Sequence, residues 1–162
     1  MNENTLRVGM ADYKICRPPQ TIATLGLGSC IGVVLYDASS KWCGMAHVML
    51  PDSGVISNNE NRYKFVDTCL QDMYNELLQI DGVSGALIAK IAGGARMFAF
   101  SSKNEHLNIG TRNVEATKVF LSQKGIPLIS QDTGKTFGRT IEFNPATGEL
   151  IVKAVGIGVT II

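Results

Sequence analysis

Four short, largely apolar segments fill the first third of the chain: Leu6 to Cys16, Thr21 to Leu27, Ile31 to Asp37 and Lys41 to Leu50. Each predicts a strand, because Pro18-Pro19, Gly28-Ser29 and Asp37-Ala38-Ser39-Ser40 stand between them, and these residue types break strands or favour turns. The period then changes. After Pro51-Asp52-Ser53-Gly54, residues Tyr63, Val66, Leu70, Met73 and Leu77 recur at three- and four-residue spacing, which predicts a helix with one apolar face laid on a sheet. Ser57-x-x-Glu60 offers this helix a capping box, and the same stripe accounts for Cys69 and Tyr74.

Ala86 to Ala92 predicts a buried strand running into Gly93-Gly94-Ala95, where a turn or a close backbone approach is expected. A second helix is predicted from about Thr111 to Lys124, with Gly125 and Pro127 as its stop. Strands follow at Ile126 to Gln131, Arg139 to Phe143 and Glu149 to Val155, the last two joined as a hairpin across Asn144 to Gly148. Strands outnumber helices and come in adjacent runs. The expected fold class is therefore α+β, a layered α/β sandwich with two main helices packed on a mixed, largely antiparallel sheet. No repeat or boundary divides residues 1–162, which read as a single domain.

Composition narrows the function classes. With 15 Lys and Arg against 14 Asp and Glu, and no basic stripe, the chain lacks the charge that nucleic acid or anionic lipid would require. Met1-Asn2-Glu3-Asn4-Thr5 has neither the basic nor the apolar region of a secretory signal. The apolar stretch Ile151 to Ile162 is interrupted by Lys153 and falls well short of the about 20 residues of a membrane span. A cytoplasmic protein without membrane insertion is expected, with Cys16, Cys30, Cys43 and Cys69 as reduced thiols.

Three familiar motifs fail. Gly134-Lys135-Thr136 resembles the end of a phosphate-binding loop, but Ile129 stands where the first glycine should be. Gly26-x-Gly28 has Ile31 in place of the third glycine of a dinucleotide fingerprint, and Gly156-Ile157-Gly158 reads as backbone packing. Cys30, Cys43, His47 and Cys69 carry zinc-binding atoms without the paired short spacings of a zinc site. Neither a cofactor nor a metal is expected.

Thr24-Leu25-Gly26-Leu27-Gly28-Ser29-Cys30 places a cysteine after a strand, in a turn whose glycines leave it accessible and whose N–H groups could meet an oxyanion. Met45-Ala46-His47-Val48-Met49-Leu50 puts a histidine into an apolar strand that can return beside Cys30. Such a pair would supply a thiolate nucleophile and an imidazole of pKa about 6.5 for proton transfer. On spacing alone the alternatives stay open: a hydrogen-bonded core histidine and a cysteine that is merely small. Ser29 reads as a turn residue, Cys43 beside Trp42 as buried, and His106 in the polar Lys103-Asn104-Glu105 loop as solvated.

The segment from Thr24 to Cys30, followed by Ala46-His47-Val48-Met49-Leu50-Pro51-Asp52-Ser53, resembles the CheD family of chemoreceptor glutamine deamidases. Lys90 to Ala95, Asn108-Ile-Gly110-Thr-Arg112-Asn113, Gly125-Ile-Pro127 and Gly138 to Phe143 continue the resemblance in order, so it covers nearly the whole chain. One departure is Gly134-Lys135, where the family commonly carries Gly-Gly. The resemblance implies that Cys30 is the nucleophile, His47 the general acid–base and Thr24 the residue that orients the imidazole. Gly28 and Ser29 would support the turn and the oxyanion. It also implies a layered α/β fold related to cysteine deamidases of some bacterial toxins, chemoreceptor cytoplasmic helices as substrate, and a CheC-type phosphatase as a partner competing for the same surface.

Overall fold

The computed structural model describes residues 3–55, 60–97 and 108–162. Strands β1 (Thr5–Val8), β2 (Asp12–Cys16), β3 (Thr21–Leu27), β4 (Ile31–Tyr36) and β5 (Cys43–Val48) come first. Helix α1 (Val66–Leu78), β6 (Ile88–Gly93), α2 (Ile109–Gln123), β7 (Leu128–Thr133), β8 (Arg139–Asn144), β9 (Glu149–Ala154) and β10 (Gly158–Ile161) follow. The strands form two sheets, in the orders β1-β3-β8-β9-β10 and β2-β5-β4-β6-β7. Only β1–β3 and β6–β7 are parallel pairs among them. The layered α+β expectation holds, with two facing sheets rather than one.

Strand β4 sits in the middle layer and is buried on both faces, so it reads as a continuous apolar run. Ile31, Val33 and Leu35 join Leu70, Met73 and Leu77 of α1 and Val114 and Leu121 of α2 in one core. Val34 and Tyr36 point the other way and, with Cys30, join Ile22, Leu27, Ile141, Phe143 and Val152 of the second sheet. The layers therefore run helices, first sheet, second sheet, and Cys30 faces the gap between the sheets.

Three local readings change. The segment Leu6 to Cys16 is two strands in different sheets, divided at a turn where Ala11 takes φ 57°; a pattern of alternation shows faces but not a crossing between layers. Helix α1 starts at Val66, where the Leu50 carbonyl takes the Val66 N–H at 2.9 Å in place of a side-chain cap. Ser57 lies outside the described residues, and Tyr63 belongs to a separate short turn, Arg62–Lys64. Gly156 and Gly158 turn the β9–β10 hairpin at φ 79° and 130°, and nothing lies within 4 Å of a side chain placed at either. Their role is conformational rather than packing.

Closure of the β4–β5 turn sets the register of the strand carrying His47. Asp37, 1% exposed, accepts from the Ser39 N–H and hydroxyl, the Ser40 hydroxyl, and the Ser84 N–H and hydroxyl. Burial alone would raise its pKa; the hydrogen bonds from Ser40, Ser84 and Ser39 outweigh it and hold the carboxyl well below the usual range. Asp37→Ala is expected to cost about 3 kcal/mol in urea unfolding, because several donors lose a charged acceptor. A carboxylate whose pKa falls on folding stabilises above its unfolded pKa and loses that contribution as pH falls towards the folded value. Wild-type stability should accordingly decline below about pH 3.9, with a shallower slope in the variant.

Candidate active site

Residues 28–30 carry the chain from the second sheet to the first. Gly26 at φ 71° opens a register shift between Thr24 and Leu27, and three carbonyls of the following turn are each held by a donor. The Gly28 carbonyl takes the Ala95 N–H at 2.8 Å, the Ser29 carbonyl takes Asn113 Nδ2 at 2.9 Å, and the Cys30 carbonyl takes the Gly94 N–H at 2.8 Å. A trans peptide directs its N–H opposite to its C=O, so the Ser29 and Cys30 N–H groups point away from these donors. Glycine is required at 93 and 94, because a side chain there would run into the Cys30 carbonyl and into Val114 respectively.

His47 reaches the same gap from β5. The β4–β5 register sets it opposite Gly32, where any Cβ would come within 2.6 Å of Ile141 Cδ1. Thr24 Oγ1 of the second sheet meets His47 Nδ1 at 2.7 Å and the Val8 carbonyl at 2.8 Å. A hydroxyl has one proton, and a carbonyl can only accept. Thr24 therefore donates to Val8 and accepts from Nδ1–H, which fixes the imidazole tautomer and leaves Nε2 with a free lone pair. Nε2 is buried without a hydrogen-bond partner among the described residues.

Cys30 lies two positions from Gly32 on the same inter-sheet side, diagonal to His47. Diagonal neighbours on adjacent strands are about 7–8 Å apart at their Cα atoms, within reach of a long side chain. Burial raises the Cys30 thiol, partly offset by its own N–H, and burial lowers the His47 imidazole below its ordinary 6.5. Burial thus works against both a thiolate at Cys30 and an imidazolium at His47. Access is also narrower than expected: Cys30 is 9% exposed, though Cys16, Cys43 and Cys69 are more deeply buried still. The sulfurs of Cys16 and Cys43 lie 3.7 Å apart as a buried hydrogen-bonded pair, and burial, aided by Asp72 and Asp12, pushes Cys69 up to about 12.

The loop with Gly134-Lys135 borders this turn. The Gly134 N–H reaches the Gly93 carbonyl at 3.0 Å and the Lys135 carbonyl takes the Arg96 N–H at 2.8 Å. Lys135 itself takes φ 62°, a conformation glycine adopts without strain. Buried Arg139 anchors the loop, donating to the Gly134 carbonyl at 3.0 Å and pairing with Asp132 at 3.0 Å.

Thr24 and His47 are thus joined, Cys30 shares their gap, and Gly28 and Ser29 enter through their backbones. His106 lies outside the described residues. Two contributors escaped the sequence reading. Arg139 was placed only in a strand. Asn113 did leave a signal, a polar residue on the apolar stripe of α2 with Gly110, Val114, Thr117 and Leu121. Among the described residues no three His, Cys, Asp or Glu side chains converge as a metal site, and no helix is long and apolar enough to cross a membrane.

The family model described as CheD chemotactic sensory transduction matches residues 49–154. The probable chemoreceptor glutamine deamidase CheD of Lachnoclostridium phytofermentans is 57% identical over 151 residues, 93% of this chain and 94% of that protein. The chemoreceptor glutamine deamidase CheD of Halalkalibacterium halodurans is 50% identical over 156 residues, 96% of each chain. That of Bacillus subtilis is 49% identical over 151 residues, 93% of this chain and 91% of its own. The family model begins after Thr24, Cys30 and His47, whereas the matches to these relatives are long enough to run through all three. By both comparisons the chain belongs to the CheD family.

Proposed function

We propose that this protein deamidates glutamine side chains on the cytoplasmic helices of chemotaxis receptors, through a thioester on Cys30 with His47 as proton carrier. The names of its relatives support the substrate class. The observation that carries the mechanism is the chain of hydrogen bonds from His47 Nδ1 through Thr24 to Val8, which leaves Nε2 as a base on the side that Cys30 shares.

A carboxamide needs a strong nucleophile, donors for its oxyanion and a proton for its nitrogen. His47 Nε2 takes the Cys30 thiol proton as sulfur attacks the glutamine Cδ, and the Ser29 and Cys30 N–H groups stabilise the oxyanion. The imidazolium gives that proton to the nitrogen as the C–N bond breaks and ammonia leaves. Neutral His47 then takes a proton from water, whose oxygen attacks the thioester; collapse releases glutamate, and the proton returns to sulfur. Because burial raises the Cys30 thiol, the base acts within the attack step itself.

Intact-mass analysis of a receptor cytoplasmic fragment tests this directly. Each event replaces NH₂ by OH and adds about 1 dalton, with one ammonia released. Because His47 must be neutral to accept the proton, kcat/KM should fall on the acid side with a midpoint below 6.5. No mass gain, or an acid limb centred well above that value, contradicts the mechanism. Family membership further supports a CheC-type phosphatase as a partner at the same surface. Its addition should inhibit deamidation competitively, with relief by saturating receptor.

A further inference from the structure

We propose that Asn113 is the positioning residue that holds Cys30 in register with His47, an inference that rests on the functional reading above. Its side chain is fully buried on α2, and Nδ2 donates both its protons, to the Ser29 carbonyl and to the Met49 carbonyl, each at 2.9 Å. Ser29 immediately precedes Cys30, and Met49 stands two residues beyond His47. One nitrogen therefore ties the nucleophile turn to the end of the histidine strand.

The sheet cannot do this alone. The β4–β5 ladder ends at the Ile31–Val48 pair, and the next residue on the histidine side, Met49, gives its N–H to Lys64 instead. Cys30 lies just past the last rung of this ladder, so β5 does not pair with it directly, while its carbonyl is held from the other side by the Gly94 N–H. Asn113 spans that gap from a third element. Both acceptors are carbonyls, which fixes the amide with nitrogen towards them, and Oδ1 has no hydrogen-bond partner among the described residues.

The helix is set to hold this side chain in place. Gly110 packs against the backbone of Gly94 and Ala95, where a side chain would clash, and Thr117 Oγ1 donates to the Asn113 carbonyl at 2.8 Å.

The test compares Asn113→Ala with Val114→Ala, which loosens the same helix without removing a donor. Asn113→Ala should lower kcat about 100-fold, the usual consequence of a misplaced reacting group, with KM within about twofold. Val114→Ala should lose melting temperature but keep its kcat. Cys30 alkylation by iodoacetamide, followed against pH and mapped by peptide, gives a readout that needs no receptor. The wild-type profile should carry an inflection that His47→Ala removes, and Asn113→Ala should remove it too while Val114→Ala keeps it. Should Asn113→Ala not fold, Asn113→Ser, which keeps one donor, decides the matter with an intermediate kcat. An Asn113 variant with wild-type kcat, a loss confined to KM, or an unchanged alkylation profile overturns the proposal. A wild type that alkylates as described yet deamidates nothing overturns the functional reading instead.

Discussion

Cys30→Ala and His47→Ala are each expected to reduce deamidation on the order of 10³-fold or more, and the double variant is expected to be no worse than either. Residues that act as one unit lose activity non-additively, because without the base the thiol stays protonated, and without the sulfur the base has nothing to activate. The burial of both groups sharpens this expectation. A raised thiol pKa and a lowered imidazole pKa leave little spontaneous thiolate at neutral pH to sustain residual turnover. Cys30→Ala should still bind a receptor fragment, since it removes one atom from a nearly closed gap while protein interfaces rest on a few large anchors. Mass analysis of the fragment and calorimetric titration measure the two effects separately. An additive double variant, or an inactivating His106→Ala beside an active His47→Ala, contradicts the assignment.

Thr24→Val is expected to lower kcat about 100-fold with little change in KM, because the isostere removes the acceptor that holds the proton on His47 Nδ1. Without it the imidazole can carry its proton on Nε2, where it cannot accept one from Cys30. The Val8 carbonyl also loses its donor, at about 1–3 kcal/mol of stability. Thr24→Ser keeps the hydroxyl and should recover most of the rate. Nitrogen-15 NMR of His47 reads the tautomer independently of turnover. Wild-type protein with the proton on Nε2, or a Thr24→Val variant of normal kcat, removes Thr24 from the mechanism.

The sequence alone determined what depends on local period and on recognisable order. The stripe Val66, Leu70, Met73 and Leu77 specified a helix and its buried face, the boundaries of β3 were readable, and the Thr24–Cys30 and Ala46–Ser53 motifs pointed to Cys30, His47 and Thr24. Tertiary structure decided what depends on groups distant in the chain meeting in one place. The division of β1 and β2 between two sheets followed from the turn at Ala11 and from which layer each strand could cover. The tautomer of His47 required the Val8 carbonyl to occupy the only proton of Thr24, and the upward push on the Cys30 thiol required the two sheets to close over it. Asn113 took its role only when packing brought it against Ser29, 84 positions earlier, and Met49, 64 positions earlier. Side-chain period encodes which face is buried, but a hydrogen-bond partner and a dielectric environment come into existence only when the layers meet.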